Sequence, residues 1–210
     1  CYDGRQRYHP SPMNFLAHAY LAGDAAADRV GGLMGDFVKG PLPGQLPDDL
    51  AAGVELHRRI DSFADAHPAF QASRRRLSPA RRRYAGVLVD MFYDHFLAIH
   101  WQRFHPQPLQ DFAGESYALL RAAAAHLPPR LAAFLPSMEA DDWLSSYAEI
   151  GTIAHALARM ARRLRHDNPL AGGEEELLRD FAAFEADFLA FLPEAGDFAA
   201  RHRLSRNSAG

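Results

Sequence analysis

Several residues in this sequence have the types and the spacing to do chemistry. In VELHRRIDSF (54–63), His57 and Asp61 stand four apart, so on a helix both heads reach the same spot. On a wheel at about 100° per residue, Leu56, Ile60, Phe63 and Ala64 form the apolar stripe. Glu55, Arg58, Arg59 and Ser62 lie mostly opposite, and His57 and Asp61 flank the stripe together. Such a pair suits either a hydrogen bond at the rim of a core or shared ligation of a metal ion. A second i,i+4 pair, Asp90 and Asp94, followed by His95, lies in a stretch from Tyr84 to Gln102 that is apolar on nearly every face and has no Lys or Arg. Two buried carboxylates need a cation from elsewhere in the fold. A divalent ion relieves their mutual repulsion better than one guanidinium does, so we expect metal.

Two further segments carry candidates. In GGLMGDFVKG (31–40), Asp36 follows a glycine, which can mark a close backbone approach to a ligand or simply a capped turn. In MNFLAHAYLA (13–22), His18 sits among apolar residues, where a histidine is more often a hydrogen-bonded core group than a ligand. Taken together, four segments bring Asp or His to an apolar side. The only cysteine is Cys1, so the donors are oxygen and imidazole nitrogen, a set suited to Mn²⁺, Fe²⁺ or Mg²⁺, with Zn²⁺ also compatible.

The elements that must position these groups are helical. Period-two alternation is rare, Ala and Leu are abundant, and Pro and Gly fall between periodic segments. The pattern predicts helices near 14–23, 26–38, 48–66, 79–104, 109–126, 140–164 (broken near Gly151) and 173–191, with a short one after Pro193. Their irregular lengths and connections imply an all-α, single, orthogonally packed helical domain rather than a simple bundle. We expect it to span 13–193, with 1–12 a disordered leader or extension and 194–210 a short C-terminal helix and polar tail.

Composition narrows the function. The 23 basic and 26 acidic side chains leave a net charge of −3, which gives no support to a general nucleic-acid binder. The apolar stretch ending at Trp101 is interrupted by Asp90, Asp94, His95 and His100. At roughly 2.5–3.5 kcal/mol per mid-bilayer Asp, it is not expected to insert in a membrane. A lone cysteine fits a reducing cytoplasm. Against this acidic background, SRRRLSPARRR (73–83) concentrates Arg74, Arg75, Arg76, Arg81, Arg82 and Arg83, a patch suited to steering an acidic partner. Arg162, Arg163 and Arg165 form a second cluster.

The motifs NFLAH (14–18), GDFVKG (35–40), HRRID (57–61) and DMFYDHFLAIHW (90–101), in this order and spacing, resemble the acyl carrier protein phosphodiesterase family, a divergent branch of the HD-domain metal-dependent phosphohydrolases. The resemblance implies an all-helical HD-like fold and a centre that prefers Mn²⁺. It also implies hydrolysis of the phosphodiester joining 4′-phosphopantetheine to a serine of holo-acyl carrier protein. Carried over residue by residue, it makes Asp36, His57, Asp61, Asp90 and Asp94 metal ligands. Arg58 or Arg59 would meet the phosphate, and His95 or His18 would protonate the leaving serine oxygen. The arginines from Arg74 to Arg83, with Arg59, would dock the carrier protein. The sequence departs from the wider HD pattern, since no His-Asp dipeptide falls in the expected helix and His166-Asp167 reads as a loop. The competing expectations are a related phosphohydrolase for a nucleotide or small phosphodiester, and a non-catalytic helical module that binds a carrier protein.

Overall fold

The computed structural model describes residues 14–164 and 166–207. The chain begins with two short helices, α1 (Phe15–Leu21) and α2 (Ala26–Met34), the second running into a 3-10 turn at Gly35–Phe37. Next come α3 (Asp48–Ala66), α4 (Pro68–Arg76), α5 (Ala85–Ile99) and α6 (Trp101–Phe104). The remainder is α7 (Leu109–Ala122), α8 (Pro129–Ala140), α9 (Trp143–Ser146), α10 (Ile150–Arg163), α11 (Glu174–Arg179) and α12 (Phe181–Asn207). There is no strand among the described residues, so the all-α expectation holds.

Two helices were not anticipated, and both begin at a proline that reads as a breaker. Pro68 and Pro129 stand at the first positions of α4 and α8, where the missing N–H costs nothing and the fixed φ favours helix. Conversely, the break expected at Pro193 does not occur: α12 runs unbroken from Phe181 to Asn207, so residues 194–207 continue it and do not form a separate helix. Proline inside a helix costs about 3 kcal/mol. Against that, Phe184, Phe188, Phe191, Leu192, Ala195 and Ala199 are all buried along this helix, and each large apolar side chain gains about 1.5–3 kcal/mol. Its C-terminal end is also tied down, because Arg206 makes a two-pronged pair with Asp28 of α2 at 2.7 and 2.8 Å. The leader expected at 1–12 lies outside the described residues.

The core lies where α5 meets α12. Phe92 packs edge-on to Phe184 at 5.2 Å and Phe96 packs on Phe188 at 5.7 Å, all four rings essentially without solvent contact. Helices α2 and α3 meet more closely than any two side-chain-bearing surfaces allow. A Cβ on Gly31 would fall 2.4 Å from the Gly53 carbonyl carbon, and one on Gly53 would fall 2.6 Å from the Ala27 oxygen. That backbone contact sets the register of His57, one turn beyond Gly53, against the end of α2.

Candidate metal centre

His57 is seated by the glycines of α2. Its Nδ1 lies 2.8 Å from the Gly32 carbonyl and so carries the hydrogen that it donates, while its ring occupies the space a side chain at Gly35 would need, 2.3 Å from an added Cβ. The glycine before Asp36 thus admits the imidazole of a neighbouring helix. With Nδ1 committed, Nε2 faces Asp61 Oδ2 at 3.4 Å and Asp36 Oδ1 at 3.7 Å. From α1, His18 stacks on His57 with ring centres 3.8 Å apart and puts its Nε2 3.1 Å from the other oxygen of Asp61. Two imidazoles from different helices therefore share one carboxylate, and the His18, His57 and Asp61 ligand atoms lie within 4.8 Å of one another.

The electrostatics follow from burial. His18 and His57 are almost wholly buried, whereas Asp36 is mostly covered and the Asp61 side chain is 49% exposed, so the cluster opens on the Asp61 side. Burial disfavours the His57 imidazolium, but hydrogen bonds to Asp36 and Asp61 and their charges outweigh it and push its pKa up to about 10. Burial and the charge of His57 hold His18 below its ordinary value, against the pull of Asp61. Burial opposes ionisation of Asp61, yet the two imidazoles bring it well below the usual carboxylate range. The His57 imidazolium thus compensates Asp61, a carboxylate with no Lys or Arg partner among the described residues. Donors that share a divalent ion at about 2.0–2.2 Å stand roughly 3.0–3.6 Å apart, a range that holds the 3.1 and 3.4 Å separations to Asp61 and nearly reaches the 3.7 Å one to Asp36. Two neutral imidazoles and two carboxylates also match a 2+ charge, so the donor set fits such an ion.

The other expected site residues are distributed differently. Asp90, half-buried on α5, is raised well above its ordinary value by burial and by the charges of Asp61, Asp36, Asp94 and Asp65, which makes it an electrostatic neighbour of the cluster. Asp94 is completely buried and accepts the Leu16 and Ala17 amides at 3.2 and 2.8 Å. The Tyr147 hydroxyl also bonds it. It therefore caps the first turn of α1, the helix that carries His18, and its lone pairs are engaged there. His95, expected as a proton donor, lies about 100° further round α5. Its Nδ1 meets the Tyr147 carbonyl at 2.9 Å and its ring packs against Phe96 and Phe181, so it is part of the core. Arg58 bonds the Val38 carbonyl at 3.1 Å and holds the segment after Asp36, whereas Arg59 pairs with Glu55 on the exposed face. His166 lies in a loop beside the Tyr84 hydroxyl, as its sequence context implies.

The basic run is also partly consumed. Arg74 pairs with Asp65, Arg76 with Asp187 and Asp180, and Arg81 with the buried Glu176. Arg75, Arg82 and Arg83 are exposed. Sequence reasoning gave no role to Tyr147 or to the Gly32 carbonyl. The GGLMG string was the one signal for the latter, since two glycines on a helix and a third at its end imply something packed closely against it.

Described residues that are all-helical, with imidazole and carboxylate donors converging from α1, α3 and the turn at Asp36, define as a class a helical protein with a histidine–aspartate cluster that could hold a metal ion. The family model for acyl carrier protein phosphodiesterase matches residues 13–195, and the chain belongs to that family. It is 34% identical over 193 residues to the acyl carrier protein phosphodiesterase of Pectobacterium atrosepticum, covering 91% of this chain and 100% of the relative. The proteins of the same name from Yersinia pestis and Photorhabdus laumondii are 35% and 34% identical, each over 86% of this chain and 94% and 92% of the relative. No solved structure gives a significant match. No described helix is long and apolar enough to cross a membrane.

Proposed function

We propose that the protein is a metal-dependent phosphodiesterase that removes 4′-phosphopantetheine from the serine of holo-acyl carrier protein, leaving apo-carrier protein. Family membership supports the substrate, and the convergence of His18, His57 and Asp61 with Asp36 at the lip supports the metal. A divalent ion held there would polarise the phosphoryl oxygens and lower the pKa of a water towards neutrality. The oxygen and nitrogen donors suit Mn²⁺, Fe²⁺ or Mg²⁺, with Zn²⁺ compatible, and the family resemblance puts Mn²⁺ first.

The chain's own residues prepare the site. The Gly32 carbonyl fixes the His57 tautomer so that Nε2 faces the centre, an arrangement common for metal-bound imidazoles. His18 thereby moves from proton donor to ligand in our reading, since its Nε2 is turned to Asp61. Asp94 holds α1, and hence His18, in place from a distance. Asp90, whose ionisation is opposed by burial and by the charges of Asp61 and Asp36, would be drawn towards its carboxylate form by a cation in the cluster. Arg58, half-buried and bonded to the Val38 carbonyl in the segment that follows Asp36, is the guanidinium we assign to the equatorial phosphoryl oxygens. The half-exposed Asp61 marks the face by which the phosphodiester enters, so the substrate's protein part stays outside. An HD-like arrangement of the helices is part of this proposal.

The direct test is conversion of holo- to apo-carrier protein with purified protein and Mn²⁺, followed by intact mass. We expect loss of the phosphopantetheine mass, suppression by a chelator and restoration by the ion. No conversion with any of the four ions would refute the activity.

A further inference from the structure

A strip of aromatic rings leads away from the metal centre, and guanidinium groups cover it. Phe37, the residue after Asp36, meets Phe134 of α8 at 6.2 Å, and Phe134 meets Trp143 of α9 at 6.2 Å. Arg130 lies over both Phe37 and Phe134, at 5.9 and 5.6 Å, Arg163 over Phe134 at 5.3 Å and Arg159 over Trp143 at 4.9 Å. The three rings are half-buried, and Arg130 and Arg163 are exposed. No ion pair to any of the three arginines is recorded among the described residues, and Arg159 Nε is buried without a hydrogen-bond partner among them. A guanidinium stacked on a ring keeps its N–H edges free for carboxylates, and the ring fixes its direction.

From this geometry we infer that the Phe37–Phe134–Trp143 strip with Arg130, Arg159 and Arg163 is the docking face for the carrier protein, and that its occupant is an acidic protein surface beside the modified serine. The inference rests on the proposed activity and assigns where its partner sits. Continuity decides between this face and the run from Arg74 to Arg83. The strip starts at the residue next to Asp36, so a partner seated on it lies beside the entrance marked by Asp61. Three arginines of the other run are already held by Asp65, Asp187, Asp180 and Glu176. Uncompensated cations beside a mouth steer an acidic partner, while paired ones contribute little field.

The test is binding of fluorescently labelled apo-carrier protein, the reaction's product, read by anisotropy so that turnover plays no part. Wild-type protein should bind, more weakly as salt is added. The Arg130→Glu/Arg163→Glu double variant should bind at least about tenfold more weakly, and Arg82→Glu/Arg83→Glu within about twofold of wild type. If the first double variant does not melt like wild type, Arg163→Gln replaces it, with an expected loss of about threefold. The inference is overturned if the Arg130/Arg163 variants bind as wild type does, or if the Arg82/Arg83 variant is the one that fails. It is equally overturned if wild type binds phosphatidylglycerol vesicles in place of the carrier. Wild-type turnover of holo-carrier, measured in parallel, separates the two claims. Turnover with binding unaffected by reversal at Arg130 and Arg163 sinks only the docking face, and salt-sensitive binding without turnover sinks only the hydrolysis.

Discussion

The His18/His57/Asp61/Asp36 cluster and the Glu176 cluster both gather charged groups where helices meet, yet they are built on opposite plans. Glu176 is wholly buried, and every demand of its carboxylate is met within the fold: Arg81 at 3.1 Å, Arg179, and the Ser78 amide at 3.1 Å. At the other cluster, Asp61 lies between two imidazoles, of which His57 holds its proton, and its side chain stays half open to solvent. A buried charge matched by fixed guanidiniums serves the fold. A carboxylate matched by a group that can give up its proton leaves room for a different cation, and that is the difference on which the proposed metal centre rests.

The largest expected effect comes from Asp61→Ala, which removes the one carboxylate shared by both imidazoles. Turnover of holo-carrier protein should fall by at least about 10³-fold, with Mn²⁺ no longer raising the melting temperature and the fold intact. A variant that instead melts early and keeps its activity would make this cluster structural, like the other. Glu176→Ala should do the converse, lowering unfolding free energy in urea by about 3 kcal/mol while activity at 25 °C persists. Its acid dependence has a definite sign. Burial opposes ionisation of Glu176, but the bonds from Arg179, Ser78 and Arg81 prevail and bring its pKa to about 2, below the ordinary 4.5. The contribution is therefore fully present above about 4.5 and lost as pH falls through about 2. Acid titration should show wild type losing its advantage over Glu176→Ala in that window.

Asp94→Ala sharpens the comparison from within the functional region. Leaving the Leu16 and Ala17 amides unpaired should cost about 2 kcal/mol of stability and reduce turnover through a loosened His18. Asp94→Asn, which keeps an acceptor oxygen, should recover part of both. Retained stability with total loss of activity would instead return Asp94 to the ligand set. The smallest effect belongs to Arg74→Ala, whose pair with Asp65 lies at the surface and should be worth about 0.5 kcal/mol or less. A larger loss of carrier binding in that variant would move the docking face to the 74–83 run.

Much of the site was legible before the fold, because i,i+4 spacing is a property of a helix and needs no neighbour. His57 and Asp61 converge because four residues make about one turn, whereas the nearness of Asp90 to their charges depends on how α5 packs. The glycines of GGLMGD announced a close approach, but not that the approaching group would be His57. The partners of Asp94 and His95 were not legible, for one physical reason. These partners, the start of α1 and the backbone at Tyr147, lie 78 and 52 residues away in sequence, and a lone-pair inventory within one helix cannot show that distant amides and carbonyls have claimed the two side chains. The 74–83 arginines were overcounted in the same way, since their acids sit on α3, α11 and α12.

The sequence alone determined the helical class, the separation of candidate groups onto four segments, and the absence of cysteine ligands, all of which follow from local periodicity and residue type. Tertiary structure decided which candidates share one point in space. The backbone contact at Gly31 and Gly53 brings α3 against α2, the Asp94 cap fixes α1 across them, and only then do His18 and His57 stack over Asp61. It also decided that α12 passes through Pro193, because the burial of the side chains on either side outweighs one missing hydrogen bond.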